Sequence, residues 1–152
     1  MNAQDLIRDF GSCSGLSSFA LDERGLARLK LDGDMIIDFE HDTAQNVLHI
    51  YSTIAQAPHT GGEAQLRLLM EANLFLDRSG GCTCALDNLT GEFIACLRLD
   101  PELYDGKALV TWLERLADTV ERLRQDLAAL EHGENAEEAG NENEFDPGRP
   151  FA

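Results

Sequence analysis

The sequence predicts an α+β fold in the order α-β-β-β-α-β-β-α, with a twisted antiparallel sheet packed by helices. Two patterns carry that prediction. Residues 26–54 hold three runs rich in apolar residues and separated by short turns, the pattern of an antiparallel meander. Residues 106–130 hold an apolar repeat at helical spacing, long enough to cover a sheet. A third observation, a central helix that is apolar on nearly every side, sets how the fold is completed.

Asn2 is placed to cap a first helix that carries Leu6, Ile7 and Phe10 on one face and ends near Gly11 and Gly15. In residues 26–31, Ala27, Leu29 and Leu31 fall on one side of a strand and Arg28 and Lys30 on the other. Asp32, Gly33 and Asp34 supply a turn into residues 35–40, where Met35, Ile37 and Phe39 share a face. A loop through Asp42 and Asn46 leads to the third strand, residues 47–54.

The stretch from Pro58 to Gly62 breaks the pattern and launches the central helix, residues 63–76. Leu66, Leu69, Asn73 and Leu76 share one face; Leu68, Ala72 and Phe75 share another; Met70 and Leu74 extend the apolar surface. A helix that covers one core needs a single stripe about 100° wide. The second face is therefore expected to meet another copy of the chain, which makes the fold homodimeric. Leu66, Leu69, Met70, Asn73 and Leu74 are the candidate dimer contacts.

Gly80 and Gly81 close the next loop, and a hairpin follows over residues 82–99. Its second strand sets Phe93, Ala95, Leu97 and Leu99 against Glu92, Cys96 and Arg98. In the last helix Leu109, Leu113, Leu116, Val120, Leu123, Leu127 and Leu130 alternate spacings of four and three. That period keeps one straight seam against a support, which the chain's own sheet or its first helix can provide. Trp112 and Ala117 widen the stripe beyond the seam of a free coiled coil.

A length of 152 residues gives room for one domain with a sizeable core. That domain is read as residues 1–131. Residues 132–152 are read as an acidic disordered tail, rich in Glu, Asn and Gly and poor in large apolar residues. The net charge of −16 opposes phosphate backbones and anionic membranes, so neither nucleic acid nor membrane is an expected partner. No apolar run approaches the ~20 residues that span a bilayer. The first residues lack the basic start and long apolar stretch of a signal peptide. Four cysteines make no dense disulfide framework, and a reducing, cytoplasmic location is the expectation.

No catalytic set assembles. His41, His49, His59 and His132 are scattered without metal-ligand spacing. Cys82 and Cys84 share a strand face and read as small buried hydrophobes, since no further pair of ligands accompanies them. Asp32, Asp34 and Asp38 fail as a calcium loop because Ile36 and Ile37 interrupt the order. Asn88, Leu89 and Thr90 read as hairpin-turn chemistry. The chain is expected to be no enzyme and to hold no metal or cofactor.

Three stretches together resemble a known family. Residues 68–75 (Leu68, Leu69, Met70, Glu71, Ala72, Asn73, Leu74, Phe75) look like its second-helix signature. Gly80 and Gly81 with the following hairpin, and residues 19–25 with Leu21, Asp22, Glu23 and Gly25, look like its flanking motifs. That family is the class I type III secretion chaperones, the Tir-chaperone-like family, and the resemblance covers about residues 1–130. It implies a cytoplasmic homodimer that binds the N-terminal chaperone-binding region of a cognate effector in extended form. Contact with apolar patches and strand addition at a sheet edge would keep the effector soluble and secretion-competent, without ATP use by the chaperone. The implied partners are the effector, a second copy of the chain and the secretion ATPase.

Candidate effector contacts are Leu6, Ile7, Phe10, Leu26, Ile36 and Ile50, apolar residues that the periodicity does not clearly send inward. Exposed apolar patches on an acidic protein mark partner sites. The pattern leaves open whether Leu26 and Ile36 serve this role or cover the second face of the sheet. Two other readings stand beside the chaperone: a regulator of the same fold that sequesters a secretion regulator, and a small-ligand protein using the sheet and the cysteine pair.

Overall fold

A computed structural model describes residues 2–137, with side chains to Gly133. In chain order it contains α1 (Ala3–Cys13), β1 (Leu26–Lys30), β2 (Ile36–Asp42), β3 (Val47–Gln56), α2 (Glu63–Ala72), a single 3-10 turn (Leu74–Leu76), β4 (Thr83–Asp87), β5 (Glu92–Leu99) and α3 (Gly106–Glu137). The sheet is antiparallel in the order β1-β2-β3-β5-β4, so the expected meander and hairpin join through β3 and β5. The α+β architecture is the one the sequence predicts.

α1 begins where expected. The Asn2 side chain accepts the Asp5 N–H at 2.9 Å, satisfying one of the first-turn donors a helix leaves unpaired. Its buried face is Leu6, Ile7 and Phe10, together with Ala3 and Gly11. Phe10 and Phe19 pack edge-on against each other, as do Phe19 and Phe39, which fixes the loop after α1 over the sheet.

α3 lies across the same side of the sheet and beside α1. Leu109, Leu113, Leu116, Val120, Leu123 and Leu127 are buried and Leu130 partly so, which is the seam the spacing predicts. Its first residue comes so close to α1 that a Cβ on Gly106 would sit 2.5 Å from the Asp9 carbonyl carbon. The Asp9 carboxylate accepts the Gly106 N–H there at 2.6 Å, so α1 caps the start of α3. Further along, Arg124 donates to the carbonyls of Thr53 and Ile54, where the β3–β5 register shifts. Ile54 is the residue the register skips, between the paired Thr53 and Ala55, and the guanidinium supplies charged donors to the carbonyls at that bulge.

β2 and β3 each run two residues further than expected, and two helix boundaries differ more. α3 continues past Leu130 to Glu137, and the part of the expected tail from residue 138 lies outside the described residues. The central helix does not run to Leu76. It closes at Ala72, where the Asn73 N–H reaches back to the carbonyls of Leu69 and Met70. Phe75 and Leu76 then take left-handed φ values of 55° and 56°. The chain must reverse toward β4 within a few residues, and the Gly81 N–H bonded to the Leu76 carbonyl at 2.9 Å holds that reversal.

Candidate functional site

The outer face of α2 is the first exposed apolar surface. Leu69 and Ala72 turn into the core, where α2 meets β4 and α3. Leu66, Met70 and Leu74 turn outward, with Met70 67% and Leu74 63% exposed, and Phe75 next to them is 90% exposed. The five candidate dimer contacts therefore separate. Leu66, Met70 and Leu74 lie on the open face; Leu69 is a core residue. Asn73 is half-buried and spends its side chain on the backbone of Cys84. A period of 3.6 assigns Leu69 and Met70 to a broad apolar surface but cannot say which of the two the subunit itself covers. Phe75 joins this face without being one of the candidate contacts, because its outward position comes from the left-handed turn and not from helical spacing.

The second surface is a groove of about 480 Å³ between the end of α1, β1 and the first half of α3. Phe10, Leu16, Leu29, Leu31, Val110 and Leu113 give it an apolar floor, and Asp32, Glu114 and Asp118 on its rim outnumber Lys30. β1 is an edge strand, so its outward backbone groups run along this groove. At the start of β1 the Leu26 N–H and carbonyl are taken by the carboxylate and N–H of Asp22. Because outward residues alternate in an antiparallel edge, the next two are Arg28 and Lys30.

The candidate effector contacts are placed differently from the expectation. Leu6, Ile7 and Ile50 are wholly buried, because the apolar face of α1 and the inner face of β3 are needed to build the core against α3. Phe10 is also nearly buried, yet its exposed fringe helps line the groove. Leu26 is half-buried and Ile36 is exposed; both lie on the sheet face opposite the core, not in the groove. That outer face carries the Arg28–Asp38 ion pair at 2.6 Å and Tyr51, whose hydroxyl is pushed above its usual value by burial and by Asp38 and Glu40.

Cys82 and Cys84 are buried with free thiols, as read from the sequence, and burial pushes them up to about 12 and about 11. Neutral, enclosed thiols are poor nucleophiles and poor ligands. Among the described residues no group of three or more His, Cys, Asp or Glu is placed to hold a metal ion. Nor is any described helix long and apolar enough to cross a membrane.

An antiparallel sheet backed by two helices, with an apolar helix face and a grooved open edge, defines a protein whose exposed features suit other polypeptides. The sequence matches the Tir chaperone protein (CesT) family over residues 5–124, and the chain belongs to that family. No curated protein matches it. Among solved structures, a chain of the ExsC-ExsE complex is similar at a TM-score of 0.68 and 22% identity, over 82% of this chain and 96% of that one. The Yersinia pestis type III secretion chaperone SycH, in complex with a stable fragment of YscM2, gives a structure similar at a TM-score of 0.64 and 22% identity, over 79% and 98%. The HopA1-SchA chaperone-effector complex gives 0.66 and 17%, over 79% and 91%. At such identities the likeness establishes the fold, which is the one expected.

Proposed function

We propose that this chain is a cytoplasmic type III secretion chaperone that works by binding alone. It pairs with a second copy through the outer face of α2, at Leu66, Met70 and Leu74. It receives the N-terminal segment of a cognate effector in extended form along the β1 edge and the adjoining groove. The effector stays soluble and secretion-competent, and the loaded complex is the form offered to the secretion ATPase.

Membership of the Tir chaperone family across residues 5–124 carries the reading. The physical features support it. An extended segment laid beside β1 would satisfy the outward backbone groups of Arg28 and Lys30 and drop alternate apolar side chains into the groove. The acidic rim favours segments with basic residues between those anchors.

The test is co-expression with proteins encoded by neighbouring genes, followed by limited proteolysis of any complex. An effector retained by this chain, with only its N-terminal region protected, is the expected result. Leu16→Asp puts a carboxylate on an already exposed groove residue. Loss of one apolar anchor should weaken capture about 10- to 100-fold while leaving the melting temperature close to wild type. If no candidate effector is retained by the wild-type chain, the reading fails.

A further inference from the structure

The two edges of the sheet are not equivalent. In β4 the register pairs Cys84 with Ala95, and alternation turns the backbone groups of Cys84 and Leu86 away from β5. Asn73 meets Cys84 with both ends of its amide. Its Oδ1 accepts the Cys84 N–H at 2.7 Å, and its Nδ2 donates to the Cys84 carbonyl at 3.0 Å. A side-chain amide is chemically a peptide group, so this contact reproduces one rung of a β-ladder. One residue before the strand, the Ser79 carbonyl takes the Cys82 N–H at 2.9 Å. Leu86 is left as the outward-facing residue of β4.

The amide is also held in place. Asn73 ends α2 with its own N–H bonded to the carbonyls of Leu69 and Met70, and the left-handed Phe75 and Leu76 follow at once. At the opposite edge, the Asp22 turn occupies Leu26 and goes no further. β2 is the strand with which β1 pairs, and Arg28 and Lys30 face outward beyond the turn.

We propose that Asn73 acts as a side-chain rung that blocks the β4 edge at Cys84 and leaves Leu86 alone outward there, so that an extended partner segment, which needs successive rungs, pairs with the β1 edge alone. An unpaired edge is a general template for any strand, including that of another copy of the same chain. Shutting one edge makes each subunit receive one strand in one place. The proposal rests on the extended-segment reading above. It also makes Asn73 a positioning residue within its own subunit instead of a contact to the twin.

The experiment compares wild type with Asn73→Ala as full chains, by amide hydrogen exchange resolved by residue. The probe is an acetylated peptide of alternating valine and lysine, which forms strands and suits the acidic chain. In the variant the Cys84 amide should exchange on the order of tenfold faster or more, for two lost hydrogen bonds. The amides of Ile50 and Val120 should stay protected and so report an intact core. The peptide should protect Arg28 and Lys30 in both proteins, and Cys84 and Leu86 in the variant only. Unchanged Cys84 exchange in the variant, or peptide protection of Cys84 in wild type, overturns the proposal. Failure of the peptide to protect Arg28 and Lys30 in either protein counts instead against the extended-segment reading. Should the alanine variant lose core protection, Asn73→Asp keeps the acceptor for the Cys84 N–H and loses the donor. It should leave that amide partly protected, and exchange as fast as in an unfolded chain there, with the core intact, is the opposite result.

Discussion

Replacing Met70 and Leu74 together by Glu should dissolve the proposed dimer without unfolding its subunits. Met70 is 67% and Leu74 63% exposed, so the subunit itself covers only about a third of each. Full burial of such a side chain contributes about 1.5–3 kcal/mol, which leaves about 1–2 kcal/mol per residue for an interface to recover. A two-fold interface uses each residue twice, giving about 4–8 kcal/mol, or about three to six orders of magnitude in the dissociation constant. Four carboxylates forced against an apolar, acidic twin add repulsion and desolvation to that loss. Light scattering across a dilution series from micromolar to nanomolar should find wild type as a dimer and the variant as a monomer. Circular dichroism should show the secondary structure of both to be alike. A variant that remains a dimer throughout would refute the assignment of this face. Leu69→Glu cannot serve the same purpose. With Leu69 4% exposed, it would put an unpaired charge in the core and should unfold the subunit itself.

Gly81→Ala should destabilise by about 2–3 kcal/mol, since φ is +88° and the new Cβ would lie 2.8 Å from the Trp112 ring; chemical denaturation followed by Trp112 fluorescence checks it. Arg124→Met should cost about 1–3 kcal/mol by stranding the carbonyls of Thr53 and Ile54, read as a lower thermal midpoint with the same fold. Burial holds Cys82 up at about 12 and Cys84 at about 11, against an ordinary thiol value of 9.0. The unfolded chain therefore loses those protons first, so stability is full below about pH 9 and falls between there and pH 11. Denaturation midpoints across that window should decline in wild type and less so in Cys82→Ala. In the native protein near neutral pH a thiol reagent should modify exposed Cys13 well before either buried cysteine.

What could be read from the sequence was whatever local periodicity fixes. The α3 seam from Leu109 to Leu127, the alternation of Ile37 and Phe39, and the Asn2 cap all depend on residues within a turn or two of each other. They survive intact in the structure. The end of α2 does not have a local cause. Residues 63–76 have helical composition throughout, and what stops them is the grip of Asn73 on Cys84, a partner from a different element. The candidates on α1 divide for a related reason, with Phe10 lining the groove and the other two buried. Leu6 and Ile7 present the same pattern whether they face a partner or a core, and only the position of α3 beside α1 decides. The groove could not be read at all. Its floor joins Leu29 of β1 to Val110 and Leu113 of α3, which lie in no common sequence window with it.

The central helix illustrates how these limits and the function meet. Its surplus of apolar residues resolves into an inward pair, Leu69 and Ala72, and an outward set, Leu66, Met70 and Leu74. Asn73 follows Ala72 and precedes Leu74, a polar residue between apolar neighbours. In a core-facing helix such a residue would cost stability unless paired, and here both ends of its amide are paired with the N–H and carbonyl of one β4 residue, Cys84. The same residue thus ends the helix, fixes the helix to the sheet and covers an edge that would otherwise invite a strand. Placing the opening at β1 then follows from topology. With β4 reduced to the single outward residue Leu86, β1 is the edge that keeps two successive ones, Arg28 and Lys30, and it is the edge that adjoins an apolar groove between two helices. Opening both edges would leave the number of bound strands per subunit undetermined, and on the proposed function that asymmetry is the feature to perturb.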